Sequence, residues 1–423
     1  MMKAMPETLT VDAALQWRAA PLRERMFVSV IKDFDLLKDH IQAWEDLTAE
    51  VLEPNPFYEP WMLMPALRSF TTRSDVRVVL VFAADPGEST LCGVFPLEKK
   101  PRYKGLPVAA FSLWQHIYCG LCTPLIRAGY GRECLEAFFD WLVCDCGCAL
   151  MEFNLVSGDW PFHQLLNDCL SRRGSQSLVG ESHTRALFRP MESADAYVRA
   201  ALNREHRKDL RRRARRLSET GQLEYDALEP DGDIDAWVEE YLRLEASGWK
   251  GQGGAFACSD ADKDYFATIA KAAFEKRKLM MLAIRLDGKP IAMKCSFIGE
   301  SGSFAFRIAF DENYAVYSPG VLMELENIRR LHAEPRVEWM DSCATPEHPM
   351  IDRLWLDRRA IQSVLVPTGK RAGEFVISAL PVMKLLNRKV RQTSVCRVLN
   401  RWFSRTARQT EVCRTFRAEE QSQ

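Results

Sequence analysis

The chain of 423 residues has no net charge, with 57 Lys and Arg against 57 Asp and Glu. A protein built as one uniformly basic or acidic body for a polyanionic or polycationic partner is thereby excluded. It lacks long apolar runs, each being broken well short of the roughly 20 residues a membrane-spanning helix needs. The opening MMKAMPETLTVDAALQW has no apolar core of a secretory leader. Thirteen cysteines without such a leader read as reduced thiols of a cytoplasmic protein, not as a disulfide framework. No internal repeat stands out in the residues themselves. What remains is ordinary: 47% hydrophobic and 27% charged residues, in a chain long enough for two domains.

The charge is unevenly spread. Ten of the 57 basic and three of the 57 acidic side chains fall in Pro381–Gln423, so the first 380 residues hold 47 and 54. A basic tail on a mildly acidic body marks an interaction segment. Within it Val395, Val398, Leu399, Trp402 and Phe403 share one helical side, and Arg397, Arg401, Arg405 and Arg408 occupy much of the rest. That pattern suits peripheral contact with an anionic membrane, or docking on a partner.

Four segments follow from the breaks. Residues 1–50 read as a lead-in, with an amphipathic helix over Phe34–Glu50. Residues 51–192 read as a first half, with strands at Val76–Ala84, Leu91–Leu97 and Phe111–Tyr118, a helix at Tyr130–Cys144, a strand at Ala149–Val156 and a helix at Pro161–Arg173. Two short strands are expected before Pro190. Residues 193–366 repeat that order. Helices are expected over Ala196–Leu217, Ile234–Glu245 and Asp260–Lys278, then a three-strand meander turned by Asp287-Gly288, a helix, and a short strand at Val337–Asp341. Residues 367–423 form the tail. The pattern predicts an α/β fold with mixed α+β sheets, built from two like halves.

Ser303–Leu331 is the most informative stretch. Phe304, Phe306, Ile308 and Phe310 alternate with Ala305, Arg307 and Ala309, which predicts a half-buried strand. A polar loop, Asp311–Tyr317, leads to Ser318-Pro319-Gly320. Ser318 suits an N-cap and Pro319 the first helical position. Val321, Leu322, Leu325, Ile328 and Leu331 recur at helical spacing. The free N–H groups of Gly320, Val321 and Leu322 would then form an anion site.

This unit resembles the acyl-CoA site of GNAT-fold acyltransferases. With Asn55-Pro56-Phe57, the basic helix from Arg204 and the Asp341 turn, the chain looks most like the CelD-like group, which is linked to cellulose and exopolysaccharide synthesis and similar to FemAB-type tandem GNAT proteins. The resemblance spans about Asn55–Val366 and is strongest from Arg204. It implies acetyl-CoA or another acyl-CoA as donor, bound at Ser318, Gly320, Val321 and Leu322. It also implies a sugar nucleotide or polysaccharide precursor as acceptor. The loop Tyr314–Gly320 departs from the family pattern in having one glycine and no Arg or Lys. FemAB-type relatives use aminoacyl-tRNA, and a scaffold without catalysis is the third reading.

Asp341 is expected at a strand's carboxyl end, where ligands gather in open α/β sheets. Two routes fit. In direct transfer, Asp341 or His348 takes the acceptor's proton, with Glu245 a second candidate base. In the covalent route Cys343 is acylated first, with His348 activating it. Arg307, among alanines, is an expected anion contact for the donor. Trp249 and Lys250, in the glycine-rich loop Ser247–Gly254, resemble a family Trp-Lys segment that closes over a donor or sugar. The basic run Arg204–Arg216 has a narrow apolar seam and reads as a solvated face rather than a nucleic-acid reader, with tRNA contact only in the FemAB-type reading. Cys119-Gly-Leu-Cys122 and Cys144-Asp-Cys-Gly-Cys148 lack two matched knuckles, so no metal is expected.

Overall fold

The computed structural model describes residues 26–72, 74–85, 88–144, 147–247, 256, 259–299 and 302–392. The chain divides into two compact units, Met1–Thr368 and Gly369–Gln423.

In chain order the first half of the larger unit holds β1 (Met26–Ile31), α1 (Ile41–Ala49), α2 (Pro60–Phe70), β2 (Asp75–Asp85), β3 (Glu88–Lys100), β4 (Ala110–Leu113), β5 (Leu125–Ile126), α3 (Gly131–Cys144), β6 (Leu150–Ser157), α4 (Pro161–Arg172) and β7 (Leu178–Phe188). The second half holds α5 (Ala194–Ala201), α6 (Arg204–Ser218), β8 (Leu223–Ala227), α7 (Ile234–Ser247), α8 (Asp260–Glu275), β9 (Leu279–Leu286), β10 (Lys289–Phe297), β11 (Ser303–Phe310), α9 (Pro319–Ala333), β12 (Met340–Asp341), α10 (Ile351–Leu354) and β13 (Asp357–Pro367). In the smaller unit, α11 spans Arg371–Gln392.

The expected mixed α/β fold is present, and local chemistry explains much of it. Asp287 and Gly288 both take positive φ, 50° and 76°, as a tight Asp-Gly hairpin requires. The expected helix Ala196–Leu217 is two helices instead. Leu202 is extended, and the Asn203 side chain accepts the His206 N–H at 2.8 Å, capping α6. The lead-in contains a strand ahead of its helix: β1 pairs with β2 from Met26↔Ala83 to Ile31↔Val78. The two short strands expected before Pro190 are one strand of eleven residues, β7.

All strands join one mixed sheet in the order β1-β2-β3-β4-β6-β13-β7-β12-β11-β10-β9-β8, with β5 on β3. From either edge the same motif appears. Four antiparallel strands are followed by a parallel neighbour, β6 beside β4 and β12 beside β11. The closing strands are exchanged: β13 of the second half lies against β6, and β7 of the first lies against β12. β7 and β13 then pair with each other along most of their length. Neither half completes its own sheet.

The exchange is pinned by buried charge. Arg359 of β13 is fully buried, with Nη1 donating to Asp341 Oδ2 at 2.8 Å and Nη2 to Ser157 Oγ at 2.9 Å and to Glu53. Arg185 of β7 donates to the same Asp341 oxygen at 2.6 Å and to the Gly120 carbonyl at 2.6 Å. Trp160 and Trp339 lie 4.2 and 5.3 Å from the Arg359 guanidinium. Around this centre the largest apolar cluster unites α1–α4 with α7 and α8. Two smaller clusters lie between α9 and the sheet, shared with α5 and α6.

Breaking a buried pair leaves an uncompensated charge, at a cost of about 3–5 kcal/mol. Asp341→Asn should lower unfolding stability by that order in denaturant titrations of the whole chain. A loss below about 1 kcal/mol, the scale of an exposed pair, would show that the cluster does not hold the exchanged strands.

Candidate functional site

The site begins with an irregularity in β11. Cys295 faces Arg307 and Ser296 faces Ala305, so Phe306 is an extra residue, a β-bulge. It resets the alternation expected from the sequence. Phe304, Phe306 and Arg307 all lie on the side of α7 and α8, whereas Ile308 and Phe310 turn to pack with Leu322 and Met323 of α9. Arg307 is thus on the face opposite α9, not beside the helix start where a donor anion contact was expected.

The segment before α9 is a 3₁₀ helix, Glu312–Tyr317, rather than an open loop. Ser318 makes no side-chain cap. It takes the left-handed conformation, φ 56°, and its Oγ accepts from Arg213 Nη1 of α6 at 2.7 Å. The same nitrogen donates to the Val316 carbonyl at 3.2 Å. The N–H groups of Val321 and Leu322 are taken by the Ser318 carbonyl, at 3.0 and 3.1 Å, so they do not face a ligand as expected. The N–H of Gly320 is the one of the three outside that turn. A Cβ on Gly320 would sit 3.4 Å from the Phe310 ring, so close backbone approach is not what fixes this glycine.

β11 and β12 pair only at Ser303↔Met340 and Phe304↔Asp341, then part. Into the opening comes a first-half loop. A Cβ on Gly120 would stand 2.9 Å from both Cys343 Sγ and Phe57 Cζ, so glycine is required for this approach. The matching opening between β4 and β6 is filled by its own chain. Cys122 N–H donates to the Leu155 carbonyl at 2.9 Å, and Trp114, Leu121 and Cys122 are buried there. His116, in the same loop, stacks on Phe70 at 5.5 Å. Burial drives its imidazole down to about 3.

The candidate bases differ in their freedom. Burial pushes the Asp341 carboxyl up, but the guanidiniums of Arg185 and Arg359 outweigh it and hold it below the usual carboxylate range. A carboxylate so held is a poor proton acceptor, which corrects its expected role as base. His348 caps α10: its Nδ1 accepts from the N–H groups of Met350 and Ile351 at 3.4 and 3.3 Å. Among the described residues no bond joins it to Cys343. Burial, then the Asp341 charge, pushes the Cys343 thiol up to about 12, the reverse of what a nucleophile needs. The expected Cys343–His348 pair is therefore not formed. Glu245, at the end of α7, is buried and accepts the Phe256 N–H at 2.9 Å, with Arg307 Nη1 3.6 Å away. Trp249 and Lys250 lie outside the described residues.

Arg213 was missed because it sits in a run of arginines that reads as solvated. Most of that run is: Arg204, Lys208, Arg211, Arg212, Arg215 and Arg216 are exposed. Glu53, Arg185 and Arg359 gave no motif, since each lies in a different strand or loop. Glu324 and Lys294, bonded at 2.7 Å under Trp355, escaped for the same reason. Cys119 and Cys122 are buried with their sulfurs 3.8 Å apart.

Residues 204–348 match a family described as Acetyltransferase (GNAT) domain. No curated protein matches the chain significantly. Among solved structures, FemX has 10% identity over 77% of this chain and 95% of its own, with a TM-score of 0.47. A tandem GNAT protein from the clavulanic acid biosynthesis pathway has 13% identity over 82% and 99%, with a TM-score of 0.42. A protein of unknown function from Bacteroides thetaiotaomicron has 12% identity over 77% and 97%, with a TM-score of 0.45.

Residue-resolved alkylation should find Cys343 unreactive at pH 8, with labelling rising only in strong alkali. Rapid labelling at neutral pH would revive the covalent route. For His116 the sign is fixed by its lowered value. The unfolded chain binds a proton below pH ~6.5 and the folded site does not, so this contribution is full above that pH and falls as pH drops toward 3. His116→Phe should flatten the acid limb of stability against pH, and an unchanged limb would assign acid sensitivity elsewhere.

Proposed function

We propose that the protein is an acyltransferase whose second half takes an acyl group from acetyl-CoA or another coenzyme A thioester and passes it directly to an amine or hydroxyl. The observation that carries this reading is the family match over residues 204–348, the stretch that holds β11, the Ser318 turn and the start of α9, where this reading puts the donor's anionic groups.

The residues present suit such a donor. The segment before α9 has no Arg or Lys of its own, but Arg213 of α6, paired through Nε with Asp209, brings its Nη1 to Val316 and Ser318 at the positive end of α9. A bound acyl-CoA supplies an activated thioester carbonyl. Gly120 and Cys343, packed where β11 and β12 part, would border the arm of such a donor. Glu245 is the base assigned to direct attack, because it stands beside the Arg307 guanidinium on the α7 side of β11, whereas Asp341 is held by two guanidiniums. Resemblance to the CelD-like group supports a sugar nucleotide or polysaccharide precursor as acceptor, a cytoplasmic location, and peripheral membrane contact through the basic tail. Among the described residues no helix is long and apolar enough to cross a membrane.

The solvated arginine face of α6 favours one second reading, transfer from aminoacyl-tRNA, and a non-catalytic scaffold is the third. Calorimetric titration with CoA and acetyl-CoA separates them. Binding should weaken about tenfold or more in Arg213→Ala, the scale of one lost charged hydrogen bond, while melting stays cooperative. Absence of CoA binding, together with tRNA affinity that falls steeply with salt, would replace this reading with the tRNA one. Binding of neither would leave the scaffold.

A further inference from the structure

The Arg307 side chain, which makes no hydrogen bond among the described residues, is held in an unusual way. Its guanidinium lies 5.1 Å from the Tyr118 ring and 5.0 Å from the Phe256 ring, so flat aromatic surfaces hold it. Tyr118 comes from the first half, in the loop that also delivers Gly120. The two rings are themselves 4.4 Å apart. Glu245 stands at 3.6 Å, near enough to balance the charge but too far for a hydrogen bond. Among the described residues Arg307 donates none, although it carries five N–H groups in a fixed planar fork. Its side chain remains 24% exposed. A fork that is oriented, charge-balanced and left without acceptors is built to receive a planar oxyanion.

The bulge at Phe306 decides which substrate meets it. Arg307 projects on the α7 and α8 side of β11, opposite α9, whose start is the proposed donor site. β11 and β12 part after Phe304 and Asp341, where Gly120 packs against Cys343. In this reading an acyl group presented from the α9 side meets an acceptor on the Arg307 side at that parting.

We infer that the acceptor is an amino acid-like molecule bearing both an amine and a carboxylate, with Arg307 reading the carboxylate, in place of the sugar nucleotide that family resemblance suggests; this rests on the acyltransferase reading above. Charge balance selects this class. Arg307 and Glu245 offset each other and Asp262 bonds to Tyr118, so the surroundings already lean anionic; a zwitterion adds no net charge, whereas a phosphate dianion would bring two more negative charges beside Glu245. The carboxylate takes the fork and the amine lies toward Glu245. One ammonium proton passes to Glu245 and on to water. The nitrogen then bonds to the acyl carbon as the carbon–sulfur bond breaks, and the second proton leaves with the sulfur as a thiol. Arg307 is a specificity residue in this scheme, and Tyr118 is a positioning residue that keeps its fork aimed.

The experiment uses the full chain and two matched pairs, glycine with glycinamide and β-alanine with β-alaninamide, together with inorganic phosphate. Binding is followed by calorimetry, and thiol release from acetyl-CoA is recorded separately. At least one acid should bind about tenfold or more tighter than its amide, as expected for a bidentate charged contact. The preference should vanish in Arg307→Met and largely in Arg307→Lys, which keeps the charge and loses the fork. CoA affinity should be unchanged in both. Equal binding of acid and amide, a preference that survives in Arg307→Met, binding of phosphate alone, or no binding of any probe at millimolar concentration would each overturn the inference. If CoA fails to bind while the Arg307-dependent acid preference remains, the donor reading falls and the carboxylate site stands.

Discussion

The architecture depends on one fully buried guanidinium. Arg359 lies where β13 has left its own half to sit against β6, and it holds groups from three places at once: Asp341 at the end of β12, Ser157 at the end of β6, and Glu53 in the segment before α2. Burying such charges is costly, and their mutual attraction roughly cancels that cost only when every partner is present. The cluster therefore adds little to stability when complete and removes much when broken. Its contribution is to arrangement. Strand exchange without it would leave β13 and β7 with apolar faces but nothing to specify which neighbour each should take. Arg185 extends the cluster by pairing with the same Asp341 oxygen and tethering the Gly120 carbonyl. The first-half loop that walls the opening is thus fixed by the same charges that fix the strands.

The two halves share a strand order but not a use. In the first, the gap left where β4 and β6 part is closed by Trp114, Leu121 and Cys122, with a backbone bond from Cys122 to Leu155. In the second, the gap beside β11 stays lined by Cys343 and the glycine of a neighbouring loop. The first half gave up its own opening and lent the loop that filled it, so Gly120 and Tyr118 serve the second half. This division explains why Trp114, His116, Tyr118 and Cys119 are buried yet His116 carries an orphaned imidazole nitrogen, Nε2. Packing between the halves, not local satisfaction, sets that loop.

Much of the fold was legible in the residues, because periodicity survives without context. Alternating apolar residues marked β2, β3, β6 and the β9–β11 meander. Asp287-Gly288 marked its hairpin, and the helical spacing of Val321 to Leu331 marked α9. The misses have definite causes. β1 was masked by reading 1–50 as a lead-in, and β13 by the absence of a turn signal telling a strand to cross into another half. Within β11, period-two reasoning placed Arg307 with the small residues, yet one bulge put it beside Phe306. The candidate site was legible in outline but not in roles. Asp341, Cys343 and His348 stand out by residue type, and their neighbours, invisible from spacing, engage or protonate them.

That single bulge carries more consequence than its size suggests. Without the bulge, strict alternation would turn Arg307 toward α9 with Ala305 and Ala309, away from Glu245 and both aromatic rings. Strict alternation would then give one face of β11 four bulky apolar side chains and the other only alanines and an unmatched charge. The bulge divides the apolar side chains instead: Phe304 and Phe306 fill the larger core, while Ile308 and Phe310 seal α9. It also delivers the guanidinium to the far side of the strand from the helix start. The placement of the Arg307 guanidinium and a packing solution come from the same inserted residue, so neither can be altered without disturbing the other. An irregularity that serves both purposes at the strand bordering the opening is what a site built from two sides of one sheet requires.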